Sequence, residues 1–501
     1  MYPFYQMIPI ETYKLRDKPK SRTLLFNSLL FRKGILLHAE LVLDSSNNSY
    51  YTKYLNGISE AVSLDSLIIT FNIPILDEKS FFDEEYNYYK NLINVDYNNV
   101  RENLKNDEIA IEFVKIPITT DSIIYCALIA KSNYNVPQLI PLFNESELNE
   151  IEMGDIYSNE SLYRLVWLPL EKELESSSKV YFAPDGELYN IPIEHAYMSQ
   201  GLYFSDIYNI HRLSSTRELL KRNKGNHSIN SAILFGGLNY DANKEDIIIA
   251  NKNNNVLTDS FRFAERSATD GKLTVESIPY TKQEVLEIKS LFPSYINCKV
   301  FTDDEGTEDL FKSLSGDSIS IIHFSTHGFY WTNNKTLTPM LQSKLFTNVK
   351  CEEDTAMTRT GLYLSGSNNI IKGIVLPRNV EDGIITANEI SELYFKDLNL
   401  VVLSACQTGL GDLKGDGVFG LQRGFKKAGA KTLLMSMWKV DDFATKILMV
   451  EFYKNYLSGK TLQESLRNAQ TYVRNYADEN GNKLFESPYY WAGFILLDAI
   501  D

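Results

Sequence analysis

The 501 residues hold 50 Lys and Arg against 65 Asp and Glu, a formal net charge of −15, with 44% hydrophobic and 23% charged residues. These are ordinary globular values, and at about 100–200 residues per domain the length predicts two or three domains, each with a sizeable core. The acidic balance disfavours nucleic acid and anionic membrane surfaces as direct partners, and no apolar run reaches the roughly 18 residues that a membrane-crossing helix needs.

Residues 1–22 are mixed and punctuated by prolines, which predicts an irregular lead-in. They lack the basic start and apolar run of a signal peptide. From Thr23 to about Ile93 apolar residues recur at helical spacing, beginning with Leu24, Leu25, Leu29, Leu30, Ile35, Leu36 and Leu37. Residues 1–93 are therefore read as an N-terminal helical segment. The pattern changes after Asn94. EIAIEFVKI (108–116) and SIIYCALIA (122–130) read as buried strands, and KVYFAP (179–184) as another, followed by the turn DGELYN. RLVWLPLEKEL reads as helix, and YNIHRLSS leads into a helix at STRELLKR. Together 94–230 form one α/β unit.

A second α/β unit, 231–501, is clearer. AILFGG (232–237) is an apolar strand ending in two glycines. Thr281 with Glu284 predicts a capping box for the helix EVLEIKSLF, CKVFTD is a short strand, and Thr307 caps EDLFKSL. ISIIHFST (319–326) is a strand, Thr386 with Glu389 a second capping box, and LNLVVLSAC a strand ending at Cys406. Val418, Leu421, Phe425 and Ala428 mark one helix face, and KTLLMSMW is a strand. Helices follow at 441–457 and 461–476, the latter capped by Thr461 and Glu464, and YYWAGFILL (489–497) is a last strand. This alternation predicts an α/β fold, a mostly parallel sheet with helices on both faces. Sites in such sheets lie at the carboxyl ends of strands, where His327 and Cys406 both fall. Three long connections, 241–275, 331–360 and 365–384, are expected to flank that site.

The four cysteines, Cys126, Cys298, Cys351 and Cys406, are scattered without CxxC spacing. That is neither a disulfide framework nor a zinc pattern, and it predicts a reducing cytoplasm. A cysteine attacks as thiolate and needs a base, for which histidine is the usual partner. His327 and Cys406 lie 406 − 327 = 79 residues apart, and adjacent strands would bring them together. Gly328, directly after the histidine, lets a backbone N–H approach a reacting oxygen, so the N–H groups of Gly328 and Cys406 are a candidate oxyanion hole. Such a donor is worth about 3–4 kcal/mol of barrier. The run QTGLGDLKGDG after Cys406 is read as glycine-given backbone freedom beside the nucleophile. Free cysteine is also often an inert core residue, and position alone leaves Cys406 at even odds. His323, four residues before His327, is expected to support packing; a zinc site from His323, His327 and Cys406 lacks a fourth ligand. Cys126 and Cys298 are expected in the core, Cys351 as a loop thiol, and His38, His195, His211 and His227 as surface or structural. No P-loop and no strand-to-helix GxGxxG is present, so no cofactor and no metal are expected.

HFSTHGFY (323–330) and LVVLSACQTGLGDLKGDGVFGLQRGFKKAGAKTLLMSMWKVDD (400–442) resemble the CHAT domain, a family that joins caspases with proteins bearing tetratricopeptide repeats. VYFAPDGELYNIPIE (180–194), RLSSTRELL (212–220), LFGGLNYD (234–241) and SPYYWAGFILL (487–497) also match, in order, so the resemblance covers about 94–501. It implies a caspase-like sheet between helices, kinship with caspases, metacaspases and separases, and peptide-bond hydrolysis by a dyad of Cys406 and His327. Residues 94–230 would be the inactive caspase-like half of separase-like relatives, and 231–501 the catalytic half. Segment 24–60, with LLFRKGILLHAE, resembles the helical stretch that joins repeats to this domain. No repeats precede it, so a fragment, a version without repeats, or a separate repeat-containing partner stay open. The run SACQTG departs from the caspase form Q-A-C-R-G, so an aspartate requirement at the cut is not carried over. The loop after LFGG would lie beside the pocket for the residue preceding the cut, which places Asn239 and Asp241 there, with Ser404 as a further pocket residue; Asp241 would favour a basic residue, or simply be solvated. Asp412 and Asp416 are expected to be solvated, and Asp441 and Asp442 to start a helix. Bacterial relatives act in defence or programmed death. The expectation is a cytoplasmic cysteine endopeptidase acting on a protein substrate, latent until a partner or a loop rearrangement activates it. A non-catalytic interaction scaffold and a thiol-dependent acyl hydrolase or transferase are the alternatives.

Overall fold

Buried apolar runs set the strands of one large sheet. The computed structural model describes residues 3–45, 95–119, 122–152, 156–222, 229–256, 274–330, 355–374, 376–377, 380–405, 408–414 and 417–500. In chain order the strands are β1 (Glu108–Pro117), β2 (Ile123–Ala130), β3 (Gln138–Asn144), β4 (Lys179–Ala183), β5 (Tyr197–Ser199), β6 (Leu202–Tyr203), β7 (Asn209–Arg212), β8 (Ser231–Leu238) and β9 (Asn297–Asp303). There follow β10 (Ile321–Ser325), β11 (Gly328–Tyr330), β12 (Thr360–Tyr363), β13 (Ile384–Thr386), β14 (Leu400–Ser404), β15 (Asp412–Lys414), β16 (Gly417–Phe419), β17 (Thr432–Ser436) and β18 (Phe494–Leu497).

Eleven strands form the main sheet in the order β3-β2-β1-β4-β7-β18-β17-β14-β10-β8-β9. The pairs β1–β2, β2–β3 and β17–β18 are antiparallel and the other neighbours parallel. The mostly parallel α/β sheet flanked by helices is thus as the alternation predicted. Every residue of β10, β14 and β17 is buried, which is why these strands read as unbroken apolar runs. Alternate residues feed the two faces. Ile322, Phe324, Val401 and Leu403 join Phe311 and Phe425 on one, and Ile321, Leu400 and Val402 join Leu448, Phe452 and Tyr453 on the other.

The strands of 94–230 and 231–501 share this sheet. They meet where Leu497 of β18 pairs with Arg212 of β7. Asp498 secures the junction: its N–H donates to Arg212 O (3.0 Å), its carboxylate accepts from Ser214 N (2.7 Å), and Lys426 Nζ pairs with it at 2.6 Å. On the outer half, Leu25, Phe26, Leu29 and Leu30 of the helix Pro19–Ser45 pack on Val114, Ile116 and Tyr181. Their spacing is the apolar stripe that the sequence showed. Lys33 of that helix pairs with Glu112 of β1 at 2.8 Å, both side chains fully buried. Lys33 also donates to Phe113 O and Ala183 O, and Glu112 accepts from Ser215, Thr216 N and Thr216 Oγ1.

Several expectations need correction. Residues 3–14 are helix rather than an irregular lead-in, and a second helix starts at Pro19; Pro3 and Pro19 occupy first helical positions, where a missing N–H costs nothing. Thr281 and Glu284 form no capping box. The helix Thr281–Leu291 is capped by no side chain, Thr281 Oγ1 donates to Ile278 O, and Glu284 turns inward to His323. Val418 lies in β16, so only Leu421 onward belongs to the helix Leu421–Lys427. Tyr489–Trp491 end the short helix Pro488–Trp491, and the last strand is confined to Phe494–Leu497. STRELLKR folds as a 3-10 turn, Thr216–Lys221. The part of the N-terminal segment at 46–94 lies outside the described residues.

The buried pair predicts a measurable cost. Lys33→Met leaves Glu112 charged and without its cation in the core, so urea unfolding should show a loss of about 3–5 kcal/mol. A loss below about 1 kcal/mol would mean that the pair does not hold the helix to the sheet.

Candidate functional site

The site is built on the parallel pair β10–β14, in which Ile321 to Ser325 run in register with Leu400 to Ser404. His327 lies two residues past Ser325, and position 406 two residues past Ser404. Cys406 itself, with Gln407, lies outside the described residues.

His327 is half-buried. Its Nε2 is 2.8 Å from the carbonyl oxygen of Glu276. A carbonyl only accepts, so Nε2 carries the proton and Nδ1 is the basic nitrogen. The Tyr240 ring lies 5.5 Å from the imidazole, tilted by 50°. Thr326 Oγ1 spends its proton on Tyr363 O (2.6 Å), so Tyr240 Oη donates to Thr326 Oγ1 at 2.8 Å. Burial pushes the Tyr240 phenol up to about 12, which keeps it a donor. Burial also holds His327 below the ordinary histidine value; the bond to Glu276 opposes this, and the charge of Lys439 adds to the lowering.

Gly328 opens β11. Tyr363 N donates to His327 O (3.0 Å), while Gly328 stands opposite Leu362 in the antiparallel ladder. Gly328 therefore occupies a non-hydrogen-bonded position, and its N–H points away from β12.

The chain on either side of 406–407 is tightly held. Ser436 Oγ donates to Ala405 O, Ser436 N donates to Thr408 Oγ1 (3.0 Å), and Gly409 N donates to Ser436 O (2.8 Å). A Cβ on Gly409 would stand 2.6 Å from Met437 Sδ, and one on Gly411 would collide with Phe419 O. These glycines permit close approach to β16 and β17, not the backbone freedom expected of them.

The proposed pocket residues are dispersed in their bonding. Asn239 Nδ2 donates to Asp304 at 2.8 Å. Asp241 is paired with Lys372 and accepts from Asn368 Nδ2 (3.0 Å), and Lys372 holds its carboxyl below the usual range. Its charge is thus met within the chain. Ser404 is buried beside Ser325, and neither hydroxyl has a hydrogen-bond partner among the described residues.

His323 lies in the core, with Nε2 2.9 Å from Glu284 Oε1 and Nδ1 3.3 Å from Tyr453 Oη. Both ring nitrogens are committed to tying β10 to two helices. Among the described residues no group of three His, Cys, Asp or Glu is placed to hold a metal. Cys126 is buried in the core, and Cys298 is partly buried against it. His195 and His211 are buried and hydrogen-bonded; Cys351, His227 and Asp416 lie outside the described residues. Asp441 caps the helix Asp442–Leu457 through Ala444 N (2.9 Å), as expected. Asp412, expected to be solvated, instead accepts from Tyr330 Oη (3.0 Å) and pairs with Arg359.

Glu276, Tyr240, Thr326, Ser436 and Asp412 were not read from the sequence as part of the site. Glu276 acts through its backbone, where side-chain identity carries no signal. Ser436 had one: a hydroxyl at the end of the strand KTLLMS, beside the strand that leads to Cys406.

The family model described as the CHAT domain matches residues 158–499. The chain belongs to the CHAT domain family. Tetratricopeptide repeat protein 28 of Mus musculus is 24% identical over 222 residues, which cover 44% of this chain and 9% of that protein. Its Homo sapiens counterpart matches at 24% over 222 residues, 8% of its length. The chain thus spans less than a tenth of these relatives, at 9% and 8%. Among solved structures, the Saccharomyces cerevisiae separase–securin complex aligns with a TM-score of 0.47 at 8% identity, over 98% of this chain and 36% of that one. The Arg-specific cysteine proteinase gingipain R aligns with a TM-score of 0.36 at 9% identity, over 70% of this chain and 68% of that one. Among the described residues no helix is long and apolar enough to cross a membrane.

The half-buried imidazole gives a direct test. In Cys406→Ala, the ring resonance of His327, assigned against His327→Asn, should titrate below the ordinary 6.5. As pH falls through 6.5 the unfolded chain takes up this proton and the folded chain does not, so stability contributed above that pH is lost on the acid side. A midpoint above 6.5 would contradict the burial and the orientation described.

Proposed function

We propose that this CHAT domain is a cysteine endopeptidase in which Cys406 is the nucleophile and His327 the general base. The observation that carries the reading is the register of β10 with β14, which puts His327 and position 406 equally far past paired serines. The Cys406 thiol passes its proton to His327 Nδ1, the nitrogen that Glu276 leaves unprotonated. The thiolate attacks the scissile carbonyl carbon. The N–H groups of Gly328 and Cys406 receive the charge that develops on the carbonyl oxygen. As the tetrahedral adduct collapses, the C–N bond breaks and His327 gives the proton to the leaving amine. Water, deprotonated by His327, then cleaves the thioester.

In this reading 231–501 is the catalytic half, 94–230 the non-catalytic half, and 1–93 a helical segment. The substrate is a protein. The site is latent until a protein partner acts. Supporting that, the helix Pro19–Ser45 packs against the helix Leu421–Lys427, which follows the loop after Cys406, so a partner bound at the N-terminal segment has a path to the site. A reducing compartment suits Cys126 and Cys298, whose thiols burial pushes up to about 12 and about 11. Those thiols also stay protonated and slow toward electrophiles.

Labelling with a peptidyl electrophile, read by mass spectrometry, tests the proposal. Cys406 should label selectively, Cys406→Ala should not label, and His327→Ala should label more slowly by roughly 100-fold or more. Equal reaction at every thiol, in the presence of candidate partners as well as without them, would point instead to an interaction scaffold.

A further inference from the structure

Asp412 opens β15, in the loop that follows Cys406, and its carboxylate reaches back to β11, which directly follows His327, and to the residue before β12. Asp412 Oδ1 accepts from Tyr330 Oη at 3.0 Å, and Asp412 Oδ2 pairs with Arg359. Tyr330 is the third residue after His327 and faces Thr360 in the ladder; Arg359 directly precedes Thr360. The two donors therefore stand at the same end of the β11–β12 ladder, and one carboxylate takes both. The Arg359 side chain is only 6% exposed, so its charge needs an anion, and Asp412 at 23% supplies one largely out of water. Burial together with Asp412 pushes the Tyr330 phenol up to about 12, so it stays a donor. Other described residues of the loop are also held in place. Gly411 lies against Phe419, the Arg423 guanidinium sits 4.0 Å over the Phe419 ring, and Gly409 is bonded to Ser436.

We propose that Asp412 is a positioning residue of the catalytic site, its carboxylate fixing the loop after the nucleophile against the ladder that begins at Gly328. It touches neither substrate nor reacting atoms. Through it, the described part of the loop, 408–414, is tied to the ladder that follows His327 by two bonds beyond the strand pairing. The inference rests on the assignment of Cys406 and His327 given above.

Two readouts on Asp412→Ala and Tyr330→Phe separate this inference from that assignment. The first is hydrogen exchange in peptides covering 408–414 and 417–419. The second is the rate at which the peptidyl electrophile labels Cys406. In Asp412→Ala exchange in the loop should rise and labelling should fall by about tenfold or more, since small misplacements of reacting groups carry penalties of that order. The midpoint of thermal unfolding should fall as well, since Arg359 loses a carboxylate largely out of water, so both readouts are taken at a temperature where every variant is folded. Tyr330→Phe keeps the ion pair with Arg359 and should show a smaller change of the same sign in both. Unchanged exchange, or raised exchange with unchanged labelling, overturns the inference. If wild-type Cys406 fails to label selectively, the endopeptidase reading falls instead, and the exchange comparison alone still decides whether the carboxylate holds the loop.

Discussion

The arrangement of the site depends on the parallel hydrogen-bonded pairing of β10 with β14. Side chains alternate between faces along a strand, so a slip of one residue would send Phe324 or Leu403 to the wrong face of the sheet. That cost fixes the register. The same register sets His327 and position 406 equally far past Ser325 and Ser404. The placement of His327 at the end of β10 is thus a by-product of core packing, and the tie from His323 to Glu284 and Tyr453 holds β10 to the helices beneath it.

Much of this was legible because its physics is local. Continuous apolar runs marked β10, β14 and β17, since a strand buried on both faces needs no alternation. Thr307, Thr386 and Thr461 were readable as caps because a side chain three residues from its backbone partner needs no tertiary information. The HG and SAC runs pointed to the ends of two strands, and the family resemblance covered the intervening order.

What was not legible depends on distant partners. Glu284 stands at the spacing of a capping box, yet a buried imidazole from β10 is the stronger claim on it. Asp412 looked like a loop aspartate until Arg359 and Tyr330 came within reach across the fold. Gly409 and Gly411 after Cys406 appeared to grant freedom, whereas neighbouring strands leave no room there for a Cβ. Asp241 was a candidate specificity charge or a solvated one, and it is exposed and ion-paired with Lys372, 131 residues away. In each case local pattern proposed one partner and tertiary contact supplied another.

The place of β1, β2 and β3 has a practical consequence. All three precede residue 158, where the family match begins, yet β1 pairs directly with β4 inside the sheet. A chain trimmed to 158–499 would keep the pairing of β4 with β7 but leave its other edge, along β1, without a partner and with an apolar flank. Such an edge invites pairing with other chains. The family match and the folding unit therefore have different borders here, and expression boundaries drawn from the match would leave an aggregation-prone edge.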